Sequence, residues 1–335
     1  MRSACAFATC RLNVRPFSYS APSTLDEAVS LLGSAARPLA GGTDLVTLMK
    51  ADLVAPERLV SIRKLVPSGI SEGADGFTLG AGTTLSEIER DARLRRQFTA
   101  LSQAAALAAS AQLRNMATLG GNLLQRPRCW YFRNPLVQCW LKGGADCPAR
   151  EGENRLHALF AESPCVAVHP SDLAPALLAF DADVRLLGPD GERALALEKL
   201  FMFPEDARRS ETRLSDDELI LAVRMPSHPA ETRSTYLKAM DRQAFAFALV
   251  GVAAVLRLSP ERRVGHARLV LSGVAPIPRR AQAAERVLLG EEASERLFER
   301  AAEAALEGAA PLRRNAYKLP LLRALIKRSL VATSN

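Results

Sequence analysis

Between Thr118 and Asp172 the chain reads TLGGNLLQRPRCWYFRNPLVQCWLKGGADCPAREGENRLHALFAESPCVAVHPSD and carries four of its six cysteines, Cys129, Cys139, Cys147 and Cys165, spaced Cys-x9-Cys-x7-Cys-x17-Cys. From Asn122 to Ser171 no helical or strand period is sustained, apart from a short amphipathic turn over Leu156 to Phe160. A segment that long without regular structure is uncommon inside a compact domain unless it is disordered or tied down. Trp130, Tyr131, Phe132, Trp140 and Leu141 are residue types that disordered segments lack. A centre held by four thiolates would supply the missing anchor.

The spacing bears on which centre. Structural zinc usually shows close Cys-x2-4-Cys pairs, whereas the shortest gap here is seven residues. That favours an iron-sulfur cluster with scattered ligands over zinc, and the aromatics beside Cys129 and Cys139 would screen it from water. Two disulfides, or four unrelated buried thiols, are the alternatives left open by the residues themselves.

A chain of 335 residues can hold two or three domains. Its 48% hydrophobic and 24% charged content, with a mean hydropathy of zero, is that of a soluble globular protein. No apolar run is long enough to span a bilayer. The net charge of +8 is spread among Glu and Asp without a basic stripe carrying aromatics, which excludes a nucleic-acid partner and leaves a solvated surface or an acidic protein partner. Residues 1–14 read as an extension, too short for a secretory signal, with Cys5 and Cys10 as free thiols.

Along the chain, Thr24 and Glu27 form a capping box for a helix ending at Gly33. A short strand at Leu39 and Ala40 then meets Gly41-Gly42, and a helical turn opens at Thr43 or Asp44. Such a turn can aim several N–H groups at one anion, a phosphate or pyrophosphate; a plain tight turn with Asp44 as N-cap is the bland alternative. Arg58 to Leu65 reads as a strand, Ile70 to Ala81 as a hairpin, Thr84 to Leu94 as a helix behind a second capping box, and Leu101 to Gln112 as an alanine-rich helix. Arg114 to Asn122 returns as a turn ending in Gly120-Gly121. Two Gly-Gly turns about 80 residues apart could cradle the two ends of one extended cofactor. Beyond the cysteines come a helix at Leu173 to Phe180, a hairpin at Asp183 to Leu197 and a strand at Glu218 to Met225. Three strands (Thr235 to Met240, Phe247 to Leu258, His266 to Val274) then precede three helices (Ala281 to Leu289, Ala293 to Leu306, Tyr317 to Leu330). That order predicts an α+β domain, its antiparallel sheet covered on one face.

Leu39-Ala-Gly-Gly-Thr-Asp-Leu45, Thr118-Leu-Gly-Gly-Asn122, His169-Pro-Ser-Asp-Leu173 and the segment Glu218 to Arg242 occur in order, and together they resemble the FAD-binding medium subunit of the molybdenum hydroxylases. That family includes xanthine dehydrogenases, carbon monoxide dehydrogenases and aldehyde oxidoreductases, and the resemblance covers residues 15–332. It implies an α+β chain: a two-lobed FAD-binding domain of the PCMH and vanillyl-alcohol-oxidase type over 15–226, interrupted by an iron-sulfur insertion over 123–170, then a C-terminal domain over 231–332 with a three-stranded antiparallel sheet and helices. Most members have a short link where this chain carries its cysteines. In that respect, and in Arg128-Cys-Trp-Tyr-Phe132, it is similar to the aldehyde oxidoreductase FAD subunit, and more distantly to the 4-hydroxybenzoyl-CoA reductase flavin subunit, in both of which the insertion holds a 4Fe-4S cluster.

The resemblance places the FAD pyrophosphate on Ala40, Gly41, Gly42, Thr43, Asp44 and Leu45. It places the middle of the cofactor against Ala108, Ala109, Thr118, Gly121 and Asn122, and the flavin edge or adenine near Asp172, Ile220 and Lys238. Cys129, Cys139, Cys147 and Cys165 become the cluster's ligands. Asp172 can also cap the helix that follows it, and His169 reads as a packed or capping histidine rather than a ligand. No catalytic side chain is implied, because chemistry of this kind needs a positioned and tuned cofactor rather than acid-base groups.

The expected activity is electron transfer inside a molybdenum-dependent aldehyde oxidoreductase. Its partners would be a large molybdenum-cofactor subunit and a small 2Fe-2S subunit, in a heterotrimer or its dimer, with an external electron acceptor. The compartment is cytoplasmic, or periplasmic by export on a partner's signal. The rival readings are a 4-hydroxybenzoyl-CoA-reductase-type flavin subunit, a self-contained FAD oxidase and a structural metal-binding module.

Overall fold

A computed structural model describes residues 14–334; Cys5 and Cys10, and the extension read over 1–14 save its last residue, lie outside the described residues. The first lobe is a parallel three-stranded sheet with Arg58–Ser61 between Ser18–Ser20 and Ala36–Leu39. Parallel neighbours need crossovers. The first is the helix Leu25–Ser30, whose N-terminus is capped by the Thr24 hydroxyl, and the second is Leu45–Lys50. Ala28, Val29 and Val60 form a small core that reaches Leu219 and Leu221 of the second lobe.

That second lobe is an antiparallel five-stranded sheet in the order Ile70–Gly73, Gly76–Gly80, Leu219–Pro226, Asp183–Gly188, Gly191–Ala196. The alternate residues Phe77, Leu79, Val184, Leu186, Val223 and Met225 bury against the helices Leu85–Arg90, Thr99–Leu107 and Leu173–Ala179 in one large core.

Several element ends differ from the sequence reading, each for a local reason. Both hydrogen bonds of the Thr84–Glu87 capping box form, but the helix stops at Arg90 because Asp91 turns extended (ψ 118) and caps a new helix, Ala92–Gln97. The alanine-rich helix ends at Leu107: Ala108 is extended and Ala109 sits at φ +50. Ala108 and Ala109 therefore stand in a turn, not on the helix. Gly120 and Gly121 lie inside a short helix, Leu119–Leu123, whose third N–H, that of Gly121, is taken by Thr118 Oγ1.

The C-terminal sheet is antiparallel and has four strands, not three, in the order Arg279–Arg280, Val264–Ser272, Val250–Leu258, Thr232–Ala239. Pro276 and Pro278 conceal the two-residue edge strand in the sequence. Both faces of this sheet are covered, where one was expected. Val250, Val252, Ala254 and Leu256 pack on the helices Gln282–Leu288, Glu295–Ala304 and Lys318–Ser334, while Ala253 and Val255 join the core of the second lobe. An unbroken apolar run, rather than an alternating one, is what a strand buried on both faces requires.

The cysteine insertion holds one helical turn, Trp130–Arg133, and one 3-10 turn, Trp140–Lys142. Leu156 to Phe160 does not form the amphipathic turn read from sequence. Instead Leu159 and Phe160 donate their N–H groups to Val274 O at 2.8 and 3.0 Å, and Ala158 donates to Val166 O. The buried Lys318 ammonium donates to the carbonyls of Leu156, His157 and Gly273 at 3.0, 3.0 and 2.8 Å, and Asn315 Nδ2 donates to those of His157 and Ala158. The insertion is thus tied to the C-terminal lobe by ordinary hydrogen bonds and packing.

Candidate cofactor site

A cavity of about 660 Å3 opens between the lobes, floored by Thr43, Asp44, Gly121 and Asn122, with Ala108, Ala109 and Asp172 on its walls. These sequence-derived residues come together at one site from four separate segments. Ala40, Gly41, Gly42, Leu45, Thr118, Ile220 and Lys238 do not line it. Ile220 is packed in the core of the second lobe. The Gly41 requirement comes from the chain itself, since a Cβ there would stand 1.9 Å from Met116 O, and Gly42 is needed for its φ of +71. Among the described residues none accepts the N–H of Thr43, Asp44 or Leu45. Unpaired peptide donors at the edge of a cavity are what an anionic group such as pyrophosphate would satisfy.

Asp172 does not cap the helix that follows it; the Ser171 hydroxyl does, accepting from Ala174 N at 3.0 Å. The Asp172 carboxylate instead accepts from Tyr236 Oη at 2.7 Å and from the Lys238 ammonium at 2.8 Å, and Lys238 also donates to Leu107 O at 3.0 Å. Burial raises the Asp172 pKa, and the two donors oppose that rise. Lys238 therefore reaches the site through Asp172, by holding it. His169 is a packed histidine, edge-on to Phe201 and accepting from Ser171 N at Nδ1.

Asp44 spends its side chain on the insertion. Its carboxylate accepts from Arg126 N at 2.8 Å, from Arg128 Nη1 at 2.7 Å and from Arg133 Nη2 at 2.9 Å. The loop that presents free N–H groups to the cavity is thereby clamped to the start of the cysteine segment. Arg128 also lies over the Phe247 ring, 4.9 Å from its centroid, and both residues line the cavity. Sequence reasoning missed Arg128, Gln125, Trp130, His157 and the loop from Asp241 to Leu249 as wall residues; nothing in local pattern marks them, because the insertion that carries the first four has no period.

Cys129, Cys139, Cys147 and Cys165 are free thiols gathered in one pocket with Leu48, Phe132, Trp140 and Leu141. The Trp140 indole is fixed by Nε1–H to Asp206 Oδ1 and by Arg209 stacked 4.6 Å above it. Peptide N–H groups surround the sulfurs: Tyr131 and Phe132 at Cys129, Leu141 and Lys142 at Cys139, Ala149 and Val166 at Cys147, and Ala167 at Cys165. Only the last is a well-aligned hydrogen bond, at 3.5 Å; the others lie close enough to favour the thiolate. Burial pushes the Cys129 thiol up to about 11 and also raises Cys139. Cys165, as donor, pulls Cys147 down to about 6 and is itself raised. As they stand, no three His, Cys, Asp or Glu side chains among the described residues form a group that could hold a metal ion.

Two sheet lobes closing on one cavity, with free peptide donors from a Gly-Gly turn and a buried acid on its walls, define an FAD-binding subunit of the two-lobed α+β class. The chain belongs to the family described as the FAD binding domain in molybdopterin dehydrogenase, which matches residues 15–228, and the CO dehydrogenase flavoprotein C-terminal domain matches residues 235–333. It is 39% identical over 254 residues to the aldehyde oxidoreductase FAD-binding subunit PaoB of Escherichia coli (strain K12), covering 75% of this chain and 78% of that one. To the carbon monoxide dehydrogenase medium chain of Hydrogenophaga pseudoflava it is 29% identical over 325 residues, 94% of this chain and 96% of that one. The solved carbon monoxide dehydrogenase of Hydrogenophaga pseudoflava that lacks the Mo-pyranopterin moiety superposes with a TM-score of 0.76 at 28% identity, over 96% of this chain and 98% of the matched chain. The protein is thus an FAD-binding medium subunit of the molybdenum hydroxylase family.

Proposed function

We propose that this chain is the electron-transferring flavin subunit of a molybdenum-dependent aldehyde oxidoreductase, and that Cys129, Cys139, Cys147 and Cys165 hold a 4Fe-4S cluster beside its FAD. The observation that carries the second half is the thiol pocket itself. Four unpaired cysteines from a segment without regular structure share one apolar pocket, each within reach of peptide N–H groups that favour thiolate. A single zinc ion with Zn–S bonds of about 2.3 Å would draw its four sulfurs into one tight tetrahedron. The long gaps between the cysteines in the sequence favour an iron-sulfur cluster with scattered ligands over such a site. The likeness to an aldehyde oxidoreductase FAD subunit supports the first half.

When bound, FAD and the cluster supply two-electron and one-electron redox chemistry respectively. The chain's residues bind and orient. Thr43, Asp44 and Leu45 offer peptide N–H groups to the pyrophosphate, with Ala40, Gly41 and Gly42 shaping that loop. Ala108, Ala109, Gly121 and Asn122 leave room for the cofactor's middle, with Thr118 capping the helix that presents the last two. Asp172, held by Tyr236 and Lys238, would accept from the ring edge, and Ile220 backs the site from the core. Phe132, Trp140 and Leu141 exclude water from the thiols. In this reading the flavin domain spans 15–226, with its insertion at 123–170, and the C-terminal domain 231–332. A large molybdenum-cofactor subunit and a small 2Fe-2S subunit are the partners, and the electrons leave to an external acceptor.

The test is cofactor content. Chain purified without oxygen should contain FAD, iron and sulfide, and Cys129→Ser or Cys165→Ser should lose iron while keeping FAD. Wild-type chain with FAD but no iron, or with these thiols bridged to one another, would remove the cluster from this reading and leave the flavin.

A further inference from the structure

His157 joins the thiol pocket to the cavity. Its Nε2 lies 3.2 Å from Cys129 Sγ, the ring is 2% exposed, and both residues line the cavity with Trp130. We propose that His157 is a positioning residue for the thiolate centre: its Nε2–H donates to the Cys129 sulfur and thereby raises the reduction potential of a cluster held there. This rests on the cluster reading above.

The ring has little freedom to do anything else. It meets Trp130 edge-on with centroids 5.4 Å apart and Tyr131 at 6.3 Å, and the His157 carbonyl accepts from Asn315 Nδ2 and the Lys318 ammonium. Nδ1 is buried and makes no well-aligned hydrogen bond, the Asn154 carbonyl being its nearby acceptor, whereas Nε2 is in direct reach of the sulfur; in the proposal the proton of the neutral imidazole sits on Nε2. A donor to a ligating thiolate stabilises negative charge on the sulfur. The one-electron-reduced state carries more of that charge, so the donor favours reduction. The imidazole gains and loses nothing in the process. Among the histidines it is the one recorded against a cysteine sulfur, and its place in a segment without regular period hid it from pattern reading.

His157→Phe keeps the ring and removes the donor; His157→Gln keeps an N–H. With iron and FAD content measured alongside, an EPR-monitored redox titration should show the phenylalanine variant about tenfold harder to reduce, 59 mV lower for a one-electron couple, and the glutamine variant near wild type. An unchanged potential in an iron-replete His157→Phe chain overturns the proposal. If that variant fails to take up iron, wild-type chain labelled with 15N-histidine decides: pulsed EPR of the reduced cluster should show coupling to a histidine nitrogen, and no coupling overturns it. Wild-type chain without iron would instead count against the cluster reading.

Discussion

Asp172 and Lys238 bury opposite charges almost completely, with side chains 6% and 0% exposed. Breaking such a pair strands a charge, at a cost of about 3–5 kcal/mol, whereas removing both partners costs less. Lys238→Met should therefore lower the thermal midpoint more than the Asp172→Asn, Lys238→Met double variant does, and should weaken FAD retention through the unanchored acid. A thermal-melt series with flavin release followed by fluorescence checks both.

A second residue-scale expectation concerns acid. Burial holds the His169 pKa at about 4, below the unfolded value of about 6.5. The unfolded chain takes up its proton first, so the contribution is complete above pH 6.5 and is lost as pH falls toward 4, about 3 kcal/mol in all. Chemical denaturation at pH 7 and pH 5 should show wild-type chain losing more stability than His169→Leu between those values. An equal loss in the two chains would mean that the imidazole takes up its proton as readily in its pocket as in the unfolded chain.

At the scale of elements, the Asp44 clamp couples the cavity loop to the cysteine segment. Asp44→Ala removes the acceptor for one peptide N–H and two guanidinium groups in Arg126–Arg133, each a charge-assisted bond of about 1.5–3 kcal/mol. Hydrogen exchange should rise across residues 126–133 and leave the strand Leu219–Pro226 unchanged. Uniform loosening of both segments would show that Asp44 acts on the whole fold rather than on the clamp.

Elements whose cause is local were legible in the sequence. Thr84 and Glu87 announced a helix start because the capping box is made of those two side chains. The hairpin Asp183–Gly188 to Gly191–Ala196 was legible from its Gly-Pro-Asp-Gly turn, and the run Val250–Leu258 from its apolar continuity. What stayed hidden had distant causes. An alanine-rich run gives no warning that Ala109 adopts φ +50, and the pair Arg279–Arg280 becomes a strand only because Val270 and Leu271 are already in place. The Gly-Gly turns were read as ligand-facing, yet Gly41 answers to Met116. Motif order recovered the cavity floor, but the insertion's contribution to the wall depends on where residues 123–170 fold back, which no period records.

Over the whole molecule, the contacts that hold the insertion include the Asp44 clamp, the thiol pocket, the bonds of Leu159 and Phe160 to Val274, and the grip of Asn315 and Lys318 on Leu156 to Ala158. If the thiols hold the proposed cluster, stripping its iron under oxidising conditions should therefore loosen the pocket without unfolding the chain. Limited proteolysis should begin near the exposed Leu136, while the segment around His157 stays protected and FAD stays bound. Lys318→Met should weaken that protection, since the carbonyls of Leu156 and Gly273 lose their donor while that of His157 keeps Asn315 Nδ2.

The four-stranded sheet has no wet side, because alternate residues of Val250–Leu258 are claimed by two different cores. A hinge between the second lobe and the C-terminal lobe would have to open the core that Ala253 and Val255 share with the second lobe, so those two lobes are built as one block. If the thiol pocket holds a cluster, as proposed, then Cys129, which belongs to the pocket and also lines the cavity, sets at folding the gap that an electron would cross.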